Sequence, residues 1–226
     1  MKSIDFSQFY RLGDPFSRRA LRLEPQGDFP GLPGRDDFRI YTGEQQPREP
    51  IILKGYMGGT VHDVLRSGMV CIFCVSRRVV DLLAENRFTG WSTYPVKVYN
   101  RNGQPLNDYF GLSVTSWVGR IDFSRSQVVT KARVSGGPPI QFHVGLYFDE
   151  GNWDGSDIFR INGSTTIMTR AVRDAFVRAK IGNIEFESLV EVERPVDWAK
   201  DLPSALNPDG SYKYAPLRNS QRLSDS

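Results

Sequence analysis

The 226-residue chain has only two cysteines and two histidines. Two thiols cannot build a disulfide framework, so stability must come from buried apolar surface. A zinc centre needs four such ligands at short spacing, and His62, Cys71, Cys74 and His143 do not supply it. No apolar run approaches the ~18 residues of a membrane span. The opening MKSIDFSQFYRLGDPF has neither an apolar h-region nor a small-residue cleavage site, so no secretory leader is expected. Net charge is only +3, far from the dense basic stripe that phosphate binding demands. No G-x-S-x-G elbow, P-loop or strand-linked G-x-G-x-x-G is present. These absences lead to the expectation of a cytoplasmic protein with reduced thiols, no membrane contact, no cofactor, no metal and no catalytic residues.

What is present is globular. Hydrophobic residues make up 39% and aromatics 12%, enough for a proper core. Residues 1–48 are rich in Gly, Pro and charge, with isolated rings at Phe6, Phe9, Tyr10 and Phe16. They read as an irregular arm docked by those rings, with a short strand near 38–42 (FRIYT). PIILKG at 50–55 opens a strand, and TVHDVLRSG at 60–68 reads as a short helix stopped by Gly68. Val70–Val75 is a buried strand. Ser76 is placed to cap the next helix through its hydroxyl, and Val79, Leu82 and Leu83 share that helix's apolar face. FTGWSTYPVKVYN returns as strand. RNGQ is a hairpin turn, because Asn-Gly tolerates positive φ. DYFGLSVTSWVGRIDF is the partner strand, VSGGPP a loop and IQFHVGLYFD a further strand.

The stretch STTIMTRAVRDAFVRAKIGNIEFESL repeats the pattern of MVCIFCVSRRVVDLLAENRFTGWSTY when Thr169 is laid on Ser76. Arg77 then meets Arg170, Asp81 meets Asp174, and Leu83 meets Phe176. Both copies read strand, hydroxyl, three-turn helix, strand. The expected fold is α+β: a mainly antiparallel sheet carrying two similar strand-helix-strand units at 70–96 and 163–189, with helices near 76–86 and 169–180. One domain would span 49–203, between the arm and a polar tail at 204–226. Cys71 and Cys74 fall in the strand of the first unit. Residues three apart on a strand point to opposite faces, which speaks for core thiols over a redox or metal pair.

EGNWDGSDIFRI, at 150–161, resembles the start of an EF-hand loop, with Glu150, Asn152, Asp154 and Ser156. The pattern then fails, because the eighth position is Asp157 and the twelfth is Ile161 where a bidentate Glu is required. A tight Asp-Gly turn packed under Trp153 is the simpler account. An acidic, aromatic loop also suits a protein interface, making Glu150, Asn152, Trp153, Asp154 and Asp157 the candidate partner-binding residues. Arg77, Arg78, Arg170, Arg173 and Arg178 read as solvated helix faces.

Several of these features occur together: Ser76 before its helix, Gly90-Trp91, Tyr94-Pro95-Val96, Asp122-Phe123-Ser124-Arg125-Ser126, Trp153 with Asp157-Ile158-Phe159, and Thr169 before the last helix. Over about residues 60–192 the chain resembles the bacterial immunity proteins of polymorphic toxin systems. Among these it resembles immunity protein family eleven, also called domain of unknown function 1629. The resemblance implies a cytoplasmic α+β protein that binds and blocks a cognate toxin encoded beside it, without catalysis. It supplies no catalytic or metal residue and no binding surface. Two other classes stay open at this point: an enzyme whose site is assembled from distant residues, and a nucleic-acid-associated protein.

Overall fold

The structure, a computed structural model, describes residues 4–27, 37–68, 73–133 and 137–196. The first part of the expected Val70–Val75 strand, with Cys71, the first half of the VSGGPP loop and the tail at 204–226 lie outside the described residues. After a 3₁₀ turn at Phe6–Gln8 come β1 (Phe9–Gly13), β2 (Arg22–Pro25), α1 (Asp37–Tyr41) and β3 (Ile51–Met57). β4 (Val64–Ser67) and β5 (Phe73–Ser76) precede α2 (Arg77–Glu85). Next are β6 (Trp91–Tyr99), β7 (Pro105–Leu106), β8 (Tyr109–Val114), β9 (Ser116–Trp117), β10 (Gln127–Ala132) and β11 (Pro139–Val144). The last elements are β12 (Ile158–Ile161), β13 (Thr165–Thr169), α3 (Arg170–Arg178), β14 (Glu185–Ser188) and β15 (Glu193–Pro195). The class is α+β, with strand well in excess of helix.

The expectation of one sheet is corrected: the described residues form three. Strands in the order β3-β2-β4-β5-β8-β6 close into a barrel, sealed by parallel pairing of β3 with β6 from Ile51↔Val96 to Lys54↔Tyr99. β7 extends β6 as a hairpin. A second sheet runs β14-β1-β13-β12-β9 and a third β10-β11-β15. Closure gives backbone partners to edge groups that an open sheet leaves bare. Most pairs are antiparallel, but β2–β4, β3–β6 and β9–β12 are parallel.

Alternation explains the apolar runs. In β5, Cys74 points into the barrel with Leu23, Leu53, Leu65 and Tyr94, whereas Phe73 and Val75 point outward to the helices. In the second sheet, Ile158 and Met168 face the helical layer, whereas Phe159, Ile161 and Ile167 face a third apolar cluster with Phe6, Phe9 and Phe148. Strands buried on both faces read as continuous hydrophobic runs. The same rule corrects TVHDVLRSG from helix to strand, since Val64 packs in the helical layer and Leu65 inside the barrel. FRIYT is corrected the other way. Helical spacing lets Phe38 and Tyr41 share one cluster while Ile40 turns into the barrel.

The N-terminal arm is corrected from irregular to partly strand. β1 is an interior strand, paired antiparallel with β13 on one side and β14 on the other. It occupies the place that β8 takes between β5 and β6. The two halves thus share one path: β4-β5-β8-β6 with α2, and β12-β13-β1-β14 with α3. Ser76 and Thr169 enter their helices at φ −67, ψ 160 and φ −68, ψ 161. After the helices, Arg87 and Lys180 take φ 55 and 54. The expected hydroxyl cap is absent at both starts. The Ser76 hydroxyl instead donates to Asp63 Oδ1 at 2.9 Å, a stronger charge-assisted partner than an N–H acceptor role would give.

Val172, Ala175 and Phe176 are buried on α3, and the Phe176 ring meets Phe186 edge-on at 6.2 Å. Phe176→Ala is expected to cost about 3–5 kcal/mol by urea denaturation; a loss under about 1 kcal/mol would remove Phe176 from the core. Gly111 lies between Cys74 and Tyr94 in the barrel wall, and an added Cβ would sit 2.0 Å from the Tyr94 ring. Gly111→Ala is expected to lower stability by at least about 2 kcal/mol, because neither ring nor wall has room to move. A melting temperature equal to wild type would refute that packing.

Candidate functional site

The candidate loop begins at Asp149, whose carboxylate accepts the Gly151 N–H at 3.0 Å and starts a 3₁₀ turn at Glu150–Asn152. Glu150 joins two distant segments. Its Oε2 accepts the Ile4 N–H at 3.1 Å, and its Oε1 accepts Arg125 Nη1 at 3.3 Å. Arg125 also lies over the rings of Phe6 at 4.6 Å and Tyr147 at 5.0 Å. Glu150 and Asn152 line an open groove of about 670 Å³ with Arg120, Asp122, Arg125 and Asp149. The groove offers charge of both signs.

Trp153 turns inward. Its Nε1 donates to the Ser156 carbonyl at 3.0 Å, and its ring meets Phe9 edge-on at 5.1 Å. The Asp154 carboxylate accepts Ser116 Oγ at 2.8 Å and the Ser156 N–H at 2.9 Å. Partial burial opposes its charge, but these donors prevail and hold its pKa below the ordinary carboxylate range. Gly155 takes φ +86, the left-handed conformation the Asp-Gly turn requires.

Asp157 is a fastening. Its Oδ2 accepts the Thr89 N–H at 2.9 Å and Thr89 Oγ1 at 3.1 Å, and its Oδ1 accepts Thr169 Oγ1 at 3.4 Å. Asp63 does the same work in the other half. It accepts the Ser76 hydroxyl, the Gly182 N–H at 3.2 Å and Arg78 Nη1 at 3.2 Å. The structure therefore brings Glu150 and Asn152 to the groove, and engages Trp153, Asp154 and Asp157 with the body of the protein. Asn152 and Asp154 remain exposed.

Among the described residues, no three His, Cys, Asp or Glu side chains converge as metal ligands. Cys74 is fully buried, which pushes its thiol pKa well up and keeps it protonated. His143 stacks against Phe123 at 4.5 Å in the third sheet, and burial lowers its pKa. No helix among the described residues is long and apolar enough to cross a membrane.

Two features escaped the sequence reading. The Asp63 fastening leaves a faint signal, an aspartate a similar distance before each helix hydroxyl. Phe16 was expected to dock, yet it is 78% exposed, unlike Phe6 and Phe9. Its place in a Pro-containing polar loop is the only hint.

Asp157→Ala is expected to cost about 1 kcal/mol, since it removes the shared acceptor of the exposed Thr89 N–H and hydroxyl and of the part-buried Thr169 hydroxyl. Calorimetric melting of Asp157→Ala, Asp63→Ala and the double variant would show whether the two fastenings are coupled. A loss below about 0.5 kcal/mol for either single variant would reduce it to a surface contact.

A search of curated proteins finds no match to the chain. The model of the Immunity protein family (Imm11) matches residues 13–191. That span begins earlier than the resemblance read from the sequence and takes in most of the N-terminal arm, in keeping with the place of β2 in the barrel and of Gly13 at the end of β1. The chain belongs to the Imm11 immunity protein family.

Proposed function

We propose that the chain is a cytoplasmic immunity protein that neutralises a cognate bacterial toxin by stoichiometric binding, without catalysis of its own. The observation that carries this is the family match across 13–191, which takes in both helical units.

Within this reading, the loop with Glu150, Asn152, Trp153, Asp154 and Asp157 is a contact region. Trp153 and Asp157 fix its shape. Asn152, Asp154 and the Glu150–Arg125 pair present the polar groups. Such a surface forms a rim more readily than an energetic centre, because centres are built on desolvated aromatic and Arg anchors.

The test is co-expression with the toxin encoded beside this chain, followed by titration calorimetry of the purified pair. Growth should be rescued, with one-to-one stoichiometry and affinity that persists at high salt. Asn152→Ala with Asp154→Ala should weaken binding by about 1 kcal/mol, the scale of rim polar contacts. Unchanged affinity would remove the loop from the contact. Turnover of a small substrate, or binding only to nucleic acid that collapses with salt, would replace the whole reading.

A further inference from the structure

Phe16 combines exposure with backbone strain. It is 78% exposed, and its φ of 50 is left-handed, a conformation that bulky residues avoid. The strain is held from beneath. The Phe16 N–H donates to Asp14 Oδ1 at 2.8 Å, and Asp14 receives both terminal nitrogens of Arg22. Arg22 is itself only 8% exposed, and its guanidinium lies 5.6 Å from the centre of the Phe16 ring. Burial works against the Asp14 charge, but the Arg22 and Phe16 bonds keep its pKa below the ordinary range. A rigid support therefore pushes a large apolar ring into solvent.

Its surroundings match. The Arg19 carbonyl accepts the N–H groups of Gly59 at 3.0 Å and Thr60 at 2.9 Å, stitching the Phe16 loop to the chain after β3. Arg22 pairs with Met57 across β2 and β3. Phe16, Tyr56, Met57 and Val61 are all exposed here, and Ile52 continues the row along the outer side of β3. Among the described residues, the other large exposed hydrophobics are Val128 and Val177. Arg18 and Arg19 are exposed in the same loop, Lys54 stands between Ile52 and Tyr56 on the outer side of β3, and Arg101 Nη1 reaches within 3.5 Å of the Gly58 carbonyl. Of the acidic groups here, Asp14 is bound to Arg22, Glu24 lies opposite Lys54, and Glu185 lies across from Gly13 at the start of the loop, so the arginines outnumber the exposed acids. Phe, Tyr, Met and Arg are the residue types enriched at the centres of protein interfaces.

We propose that Phe16 is the anchor of the toxin contact, inserting into an apolar pocket whose rim is acidic and meets Arg18, Arg19 and Arg101. This rests on the immunity reading above and names the surface that carries most of its energy. The positive rim decides the occupant. A second copy of this chain docking symmetrically would set the same arginines against one another, whereas an acidic protein surface neutralises them. The patch begins just past the end of β1, while the Trp153 loop packs on Phe9 at its start, so the two surfaces can be varied separately.

The experiment uses the full chain and the purified toxin encoded beside it. Phe16→Gly should weaken binding about 30-fold or more while the melting temperature stays equal or rises, because glycine relieves the left-handed strain. Arg18→Glu with Arg19→Glu should slow association about tenfold and flatten its salt dependence. Asn152→Ala with Asp154→Ala serves as the comparison pair. If wild type binds the toxin and Phe16→Gly binds equally well, the anchor is wrong and the immunity reading stands. If wild type does not bind the toxin, the immunity reading fails and the anchor proposal falls with it. Sedimentation showing a wild-type dimer that Phe16→Gly dissolves would overturn the proposal in favour of a second copy.

Discussion

Asp63 and Asp157 each hold a helix entry in one half of the chain and a helix exit in the other. Asp63 accepts from Ser76 before α2 and from Gly182 after α3, while Asp157 accepts from Thr169 before α3 and from Thr89 after α2. Backbone bonds repeat the exchange: Val64 N–H donates to the Gly182 carbonyl, and Ile158 N–H to the Thr89 carbonyl. Each half thus satisfies groups that the other leaves open at its helix end. Helix ends lack intrahelical partners, so an unpaired exit loop in a packed layer is costly. The reciprocal bonds fix α2 and α3 against each other, and with them the apolar layer of Val79, Leu83, Val172 and Phe176.

That layer sits between the barrel and the second sheet, and it imposes a condition on both. β5 must be apolar on the barrel side at Cys74 and on the helix side at Phe73 and Val75, and β12 must offer Ile158 to the helices and Phe159 and Ile161 to the cluster of Phe9 and Phe148. A strand meeting that condition is legible as a continuous apolar run, which is why the run that ends in Phe73–Val75 announces a buried strand. The helices are legible too, since their one-sided burial leaves a clean periodic face from Val172 to Phe176. Short elements with mixed obligations are not. VLRS and FRIYT each send adjacent residues into two different cores. Over four or five residues, a strand and a single helical turn do so almost equally well in sequence, and tertiary packing decides between them.

Barrel closure was illegible for a related reason. The pairing of β3 with β6 is between parallel strands far apart in sequence, and no turn residue announces it. β1 was hidden because its partners, β13 and β14, lie more than 150 residues downstream. In the candidate loop, the sequence offered acids, a tryptophan and a glycine. These types serve a clasp as well as an interface, and only hydrogen-bond geometry separates Asp157, which fastens two loops, from Asn152, which faces solvent. Phe16 was misread because aromatic residues in a polar arm are usually docking rings, as Phe6 and Phe9 are.

The division of labour has a consequence for binding. The fastenings occupy Asp63 and Asp157, and the layered core and the barrel filling take up most of the large apolar side chains among the described residues. On the outer side of β3, Ile52, Lys54 and Tyr56 carry none of these duties. They fill no core, so they can change without disturbing the fold, which is the condition under which recognition surfaces diverge on a fixed scaffold. A strained, exposed phenylalanine costs stability wherever it stands. On a face with few structural duties, and held rigid by the Asp14–Arg22 pair, the proposed contact would offset that cost, because a partner gains an anchor already fixed in its bound shape, with little ordering entropy left to lose.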